Sequence, residues 1–123
     1  MDAESLQIAP PDSGTVSVDV WAERDWTDGI QIDACPALEH IEVRTLNSVY
    51  EVIVMEGGAG EVLIRGGRFF PEFRRARLAG ASAGSALKLL GIYVGLRMEL
   101  YLDDKPIVTS SVRRISRQPA ASS

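Results

Sequence analysis
Leu96-Arg97-Met98-Glu99-Leu100-Tyr101-Leu102 decides the fold class. Leu96, Met98, Leu100 and Leu102 fall on one side of an extended chain, and Arg97, Glu99 and Tyr101 on the other. Successive side chains of a strand point to opposite faces, so seven alternating residues mark a strand with one dry face and one wet face. The pattern repeats on both sides of this stretch. His40 to Thr45 turns Ile41 and Val43 one way and Glu42 and Arg44 the other. Val49 to Met55 (VYEVIVM) is apolar on both faces, which suits a central strand or one that closes a barrel. Glu61 to Arg65 is its expected partner across Glu56-Gly57-Gly58-Ala59-Gly60, whose glycines supply positive φ for a hairpin.

Further out, Thr15 to Trp21 (TVSVDVW) reads as a first strand, Arg74 to Ala79 as another, and Ile107 to Ile115 as the last. Asn47-Ser48 reads as a turn or bulge, and Asp103-Asp104-Lys105-Pro106 as a turn. Gly80 to Ser85 reads as a linker of small residues. Gly91 bends the apolar run Leu87 to Val94. Ala22 to Glu39 carries mixed signals: a turn at Asp28-Gly29, a short strand through Ile30 and Ile32, or a helical turn capped by Asp33. No segment shows the 3.6-residue period of an amphipathic helix over more than about two turns. Seven to nine short, mainly antiparallel strands at this spacing predict a small closed or nearly closed β-barrel, with a two-sheet sandwich as runner-up. Closure is favoured because strands that are apolar on both faces need their edges covered.

The chain has 123 residues, enough for one domain. The expected organisation is a lead-in at residues 1–13, one β domain over 14–116, and a polar tail over 117–123. Cys35 is the single cysteine, so no internal disulfide can form. The first residues (MDAESLQIAPPDSG) carry acidic groups and no apolar run of the signal-peptide kind, and no window of the chain approaches a membrane span. A cytoplasmic protein is expected. The formal charge of −4 is unevenly spread. Residues 1–64 hold 13 acidic side chains against Arg24 and Arg44, whereas residues 65–123 hold 11 basic ones against four acidic. Either the two halves neutralise each other inside one fold, or one face is basic and suits an acidic partner.

No arrangement of residues meets the requirements of catalysis. Gly80-Ala81-Ser82-Ala83-Gly84 matches the spacing of a nucleophile elbow, but no histidine follows it and the next segment is strand-like. The same loop lacks the lysine spacing and the helix of a phosphate-binding loop. Cys35 and His40 have no third group to orient a dyad, and one of each cannot build a zinc site. Asp25, Asp28 and Asp33 do not follow calcium-loop spacing. No cofactor and no metal are therefore expected. The most suggestive cluster is Arg65, Arg68, Phe69, Phe70, Phe73, Arg74, Arg75 and Arg77. Guanidinium groups beside aromatic rings make anchors for a protein partner or for a second copy of the chain. They are also how β-barrels hold single-stranded nucleic acid, although a sequence pI near 5.0 speaks against that. The function expected is that of a non-enzymatic binding or assembly module, most simply for protein. The alternatives are a single-strand nucleic-acid binder working through residues 65–77, and a ligand or enzyme site in the barrel mouth.

Overall fold
The structure is a computed structural model that describes residues 26–118. The expected strand over Thr15 to Trp21, the lead-in at residues 1–13 and Asp25 lie outside the described residues. Nine strands are present among the described residues: β1 (Gly29–Gln31), β2 (His40–Thr45), β3 (Val49–Glu56), β4 (Glu61–Gly66), β5 (Phe70–Ala83), β6 (Ala86–Leu89), β7 (Gly91–Tyr93), β8 (Arg97–Leu102) and β9 (Lys105–Gln118). All pairings are antiparallel. Hydrogen bonds run from β4 through β3, β2, β9, β8 and β5 and back to β4, a near-barrel ring of six strands. β6 adds to the outside of β5, and β1 pairs with β7 as a separate ribbon.

The alternation seen in the sequence sets which side chains fill the ring. Ile41 and Val43 of β2, Tyr50, Val52 and Val54 of β3, Val62 and Ile64 of β4, Leu78 of β5, and Met98 and Leu100 of β8 form one buried cluster. Their neighbours Glu42, Arg44, Arg75, Arg77 and Arg97 face water. The barrel's two ends differ. At one end, the 3-10 turn Ile32–Ala34 and the β1–β7 ribbon bring Ile30, Ile32 and Ile92 into the core. The Ile32 amide donates to Leu90 O at 2.9 Å and fixes that plug. The other end, where the turns β2–β3 and β4–β5 lie, carries no such plug among the described residues.

Several local expectations are corrected. Gly80 to Ala83 is not a linker but the second half of β5, buried between β8 on one edge and β6 on the other. Small residues are there because the backbones approach closely. At Gly80 a Cβ would run into the Lys88 carbonyl, and its φ of 153° lies where side chains are disfavoured. Leu87 to Val94 is two strands rather than one bent one. The break falls at Leu90 (φ 58°), one residue before the glycine that signalled it. β5 starts at Phe70, so Pro71 sits within a strand. The β4–β5 register shifts between Ile64 and Gly66, so the ladder is irregular near Pro71. Asp103 and Asp104 both take positive φ, the two-residue turn that matches strand twist. Finally, β9 runs through Gln118, so Arg117 and Gln118 belong to the barrel wall.

Arg117 has a specific role there. Glu39 is buried, and Arg117 reaches it with two hydrogen bonds, from Nε to Oε2 at 2.5 Å and from Nη2 to Oε1 at 3.0 Å. Those bonds hold the Glu39 carboxyl below the usual glutamate range, against the opposing effect of burial. The Cys35 thiol lies alongside, 3.9 Å from Arg117 Nη2 and 3.5 Å from the Gln31 carbonyl it donates to. Burial, then the Glu39 charge, pushes that thiol up, which favours its neutral form.

Candidate binding site at the barrel mouth
The eight residues of the arginine and phenylalanine segment do not form one site. Antiparallel pairing of β4 and β5 distributes them along the barrel. Phe70 is fully buried, with its ring edge-on to Tyr50 at 6.5 Å, and belongs to the core. Phe73 is half-buried beneath Arg65, whose guanidinium carbon lies 4.4 Å from the ring centre. Arg65 also donates from Nε to Glu51 at 2.7 Å, and from Nη2 to the same oxygen. Arg74 lies 3.5 Å from Asp103 and Arg75 lies 4.0 Å from Glu61. Arg77 covers the Tyr101 ring at 4.8 Å. Glu51 and Glu61 come from the acidic half of the chain, so this part of the cluster is balanced across the barrel wall. Exposed pairs of this kind contribute little each.

Arg68 and Phe69 are different. They form the tip of the β4–β5 turn at the open end, and Phe69 is 44% exposed. There they border a cavity of about 680 Å³ whose walls come from five elements of the fold. The β2–β3 turn supplies Leu46, Asn47 and Ser48, β8 supplies Arg97, and β9 supplies Val108, Thr109, Ser110 and Ser111. Tyr50 lines it from β3, and burial pushes its hydroxyl up in pKa, so it stays a neutral phenol.

A hydroxyl network fixes the shape of this mouth. Ser110 Oγ donates to Thr45 Oγ1 at 2.9 Å and accepts from the Asn47 amide at 3.1 Å. Thr45 Oγ1 accepts from the Ser48 amide at 3.1 Å. Thr109 Oγ1 accepts from the Met98 amide at 3.1 Å, replacing a ladder bond where the β8–β9 register shifts. These groups are occupied in tying the β2–β3 turn to β9, and they leave Ser48 beside Tyr50.

The charge of the mouth is one-sided. Its lining contains Arg68 and Arg97 and no carboxylate. Among the described residues neither arginine has an acidic group within 4.0 Å, unlike Arg65, Arg74, Arg75 and Arg117. Of the five large apolar side chains most exposed among the described residues, three ring this cavity: Leu46 at 62%, Phe69 at 44% and Val108 at 44%. The mouth therefore combines apolar contact surface with two cations that no described carboxylate pairs, beside the buried Tyr50 ring.

The residues considered for catalysis stand apart from it. Ser82 is buried within β5. His40 lies 3.9 Å from Glu51, while Cys35 engages Gln31 and Arg117, so the two form no dyad. Among the described residues there is no group of three His, Cys, Asp or Glu able to hold a metal, and no helix long and apolar enough to cross a membrane. Comparison of the chain with family models, with curated proteins and with solved structures finds no match.

Proposed function
We propose that this protein is a non-enzymatic binding module that holds an acidic segment of a partner protein at its barrel mouth. The observation that carries the reading is the pair Arg68 and Arg97, both exposed, both facing one cavity, and both without a carboxylate among the described residues. Two like charges that share a concave, partly apolar wall favour an anion between them. Phe69, Leu46 and Val108 supply the apolar rim on which such a segment rests, the arginine and aromatic combination typical of interface anchors. A cytoplasmic setting fits the free thiol of Cys35. Nucleic acid is the weaker reading. Among the described residues the exposed aromatic surface at the mouth is a single phenylalanine, whereas single-strand binders stack successive bases on several rings.

The test is fluorescence anisotropy with two labelled probes: a hexapeptide of alternating valine and glutamate, and a ten-nucleotide single strand. The peptide is expected to bind. Arg68→Gln and Arg97→Gln should each weaken it about tenfold, and the double variant about a hundredfold, the loss of one charge-assisted hydrogen bond apiece. Arg74→Gln, on the outer wall, should leave it unchanged. Preference for the oligonucleotide, with affinity falling steeply as salt rises, would replace this reading with the nucleic-acid one.

A further inference from the structure
The geometry points to strand addition: the mouth's acidic occupant is an extended peptide that pairs with the free edge of β9 beside Val108. The inference rests on the mouth being the binding site and goes further, because it fixes the backbone conformation of the occupant. β9 is long and divides its partners. From Val112 to Gln118 it pairs with β2, and from Lys105 to Ser111 it pairs with β8. Between Lys105 and Ser110 no strand among the described residues pairs with the edge that faces away from β8.

The direction of the backbone groups on that edge follows from the hairpin. A two-residue turn makes Leu102 and Lys105 a hydrogen-bonded pair, so the next opposed pair, Tyr101 with Pro106, is the non-bonded kind, and the alternation brings Val108 opposite Glu99 into the same class. The N–H and C=O of Val108 and the C=O of Pro106 therefore point outward, toward the open edge. Pro106 has no N–H to offer, and its place on that edge is the one a sheet tolerates. The free edge is thus short: one donor and two acceptors, ending where the hydroxyl network takes over at Ser110.

That short edge borders the cavity that holds Arg68 and Arg97. An added strand places alternate side chains on opposite faces about 6.5–7 Å apart along one face. One face of the peptide would lie on Leu46 and Phe69 and the other side chains would carry acid toward the guanidinium groups. Main-chain hydrogen bonds give such a mode its affinity and the flanking side chains its selectivity. An edge that no described strand pairs, beside exposed apolar surface, is also a liability that proteins usually blunt, and here Pro106 shortens it.

The experiment uses the full-length protein and the valine–glutamate hexapeptide in two forms: unmodified, and with alternate backbone amides N-methylated in each of the two registers. Charge and side chains are the same in all of them. Strand addition predicts that one N-methylated register loses at least tenfold in affinity while the other, whose methyl groups point to solvent, binds within about twofold of the parent. Equal binding by all three forms would overturn strand addition while leaving the acidic mouth standing. Absence of binding by every form would overturn both. Equal loss in both registers would also overturn it, because a one-sided edge discriminates between them.

Discussion

Replacing Phe70 with alanine should cost the protein about 3–5 kcal/mol, the range for deleting a large aromatic from a closed core. Phe70 is fully buried, edge-on to Tyr50 and to Phe69 at 6.5 Å each. The cavity left behind lies next to the β4–β5 turn, at the end that carries no plug among the described residues. Phe69→Ala, one residue away, should cost less than about 1 kcal/mol, because Phe69 is 44% exposed. Chemical denaturation with a constant slope separates the two. Equal losses at the two positions would mean that both rings serve the core and that the rim has no aromatic anchor.

The second large effect belongs to the clasp between Glu39 and Arg117. Arg117→Ala strands a buried carboxylate, and should cost about 2–3 kcal/mol near neutral pH, less than for a fully buried pair because Arg117 is half-exposed. The cost should depend on pH with a definite sign. Glu39 is held below its ordinary value in the folded protein. Its contribution is therefore complete above the unfolded value of about 4.3 and is lost as pH falls through the folded one. Denaturation at pH 7 and at pH 3 should show the gap between the variant and the parent narrowing in acid, as Glu39 takes up a proton and no longer needs the guanidinium. A gap of the same size at both would show that Arg117 acts through packing of its stem alone.

How much of this was legible in the sequence depends on how local each signal was. The strands β2 and β8 were readable because each carries its own alternation, β3 because it is apolar on both faces, and β4 as its partner across a glycine turn; closure followed from the strands apolar on both faces. The second half of β5 was not readable. Gly80, Ala81 and Ser82 are small because two strands crowd them from both edges, and small residues look the same in a buried strand as in a loop. Leu90 takes positive φ without the glycine or asparagine that usually announces it. Glu39 and Arg117 are 78 positions apart, so no spacing could have paired them.

The site shows the same division. The segment around Arg68 and Phe69 stood out as arginines mixed with phenylalanines, yet only those two residues of the eight reach the mouth. Phe70, Phe73 and Arg65 were drawn off by the core and by Glu51. Arg97 was visible only as the wet face of a strand, and Leu46 to Ser48 only as a turn. Val108 to Ser111 read as part of the last strand. Barrel closure alone brings β8, β9 and two turns around one cavity, and closure is a property of the whole ring rather than of any stretch. A signal for Arg97 did exist in hindsight: it is a cation on a strand whose cross-strand partner, Ser111, carries no charge.

The most direct test of the mouth as the binding site is amide chemical-shift mapping on the full-length protein as the acidic hexapeptide is titrated in. The account predicts that the shifting amides cluster at Leu46 to Tyr50, Gly67 to Phe69, Arg97, and Val108 to Ser111, with the Val108 amide moving far as it gains a hydrogen bond. Shifts concentrated instead on the outer wall, at Phe73 to Arg77 or at Arg44 and Arg114, with the mouth unmoved, would contradict it.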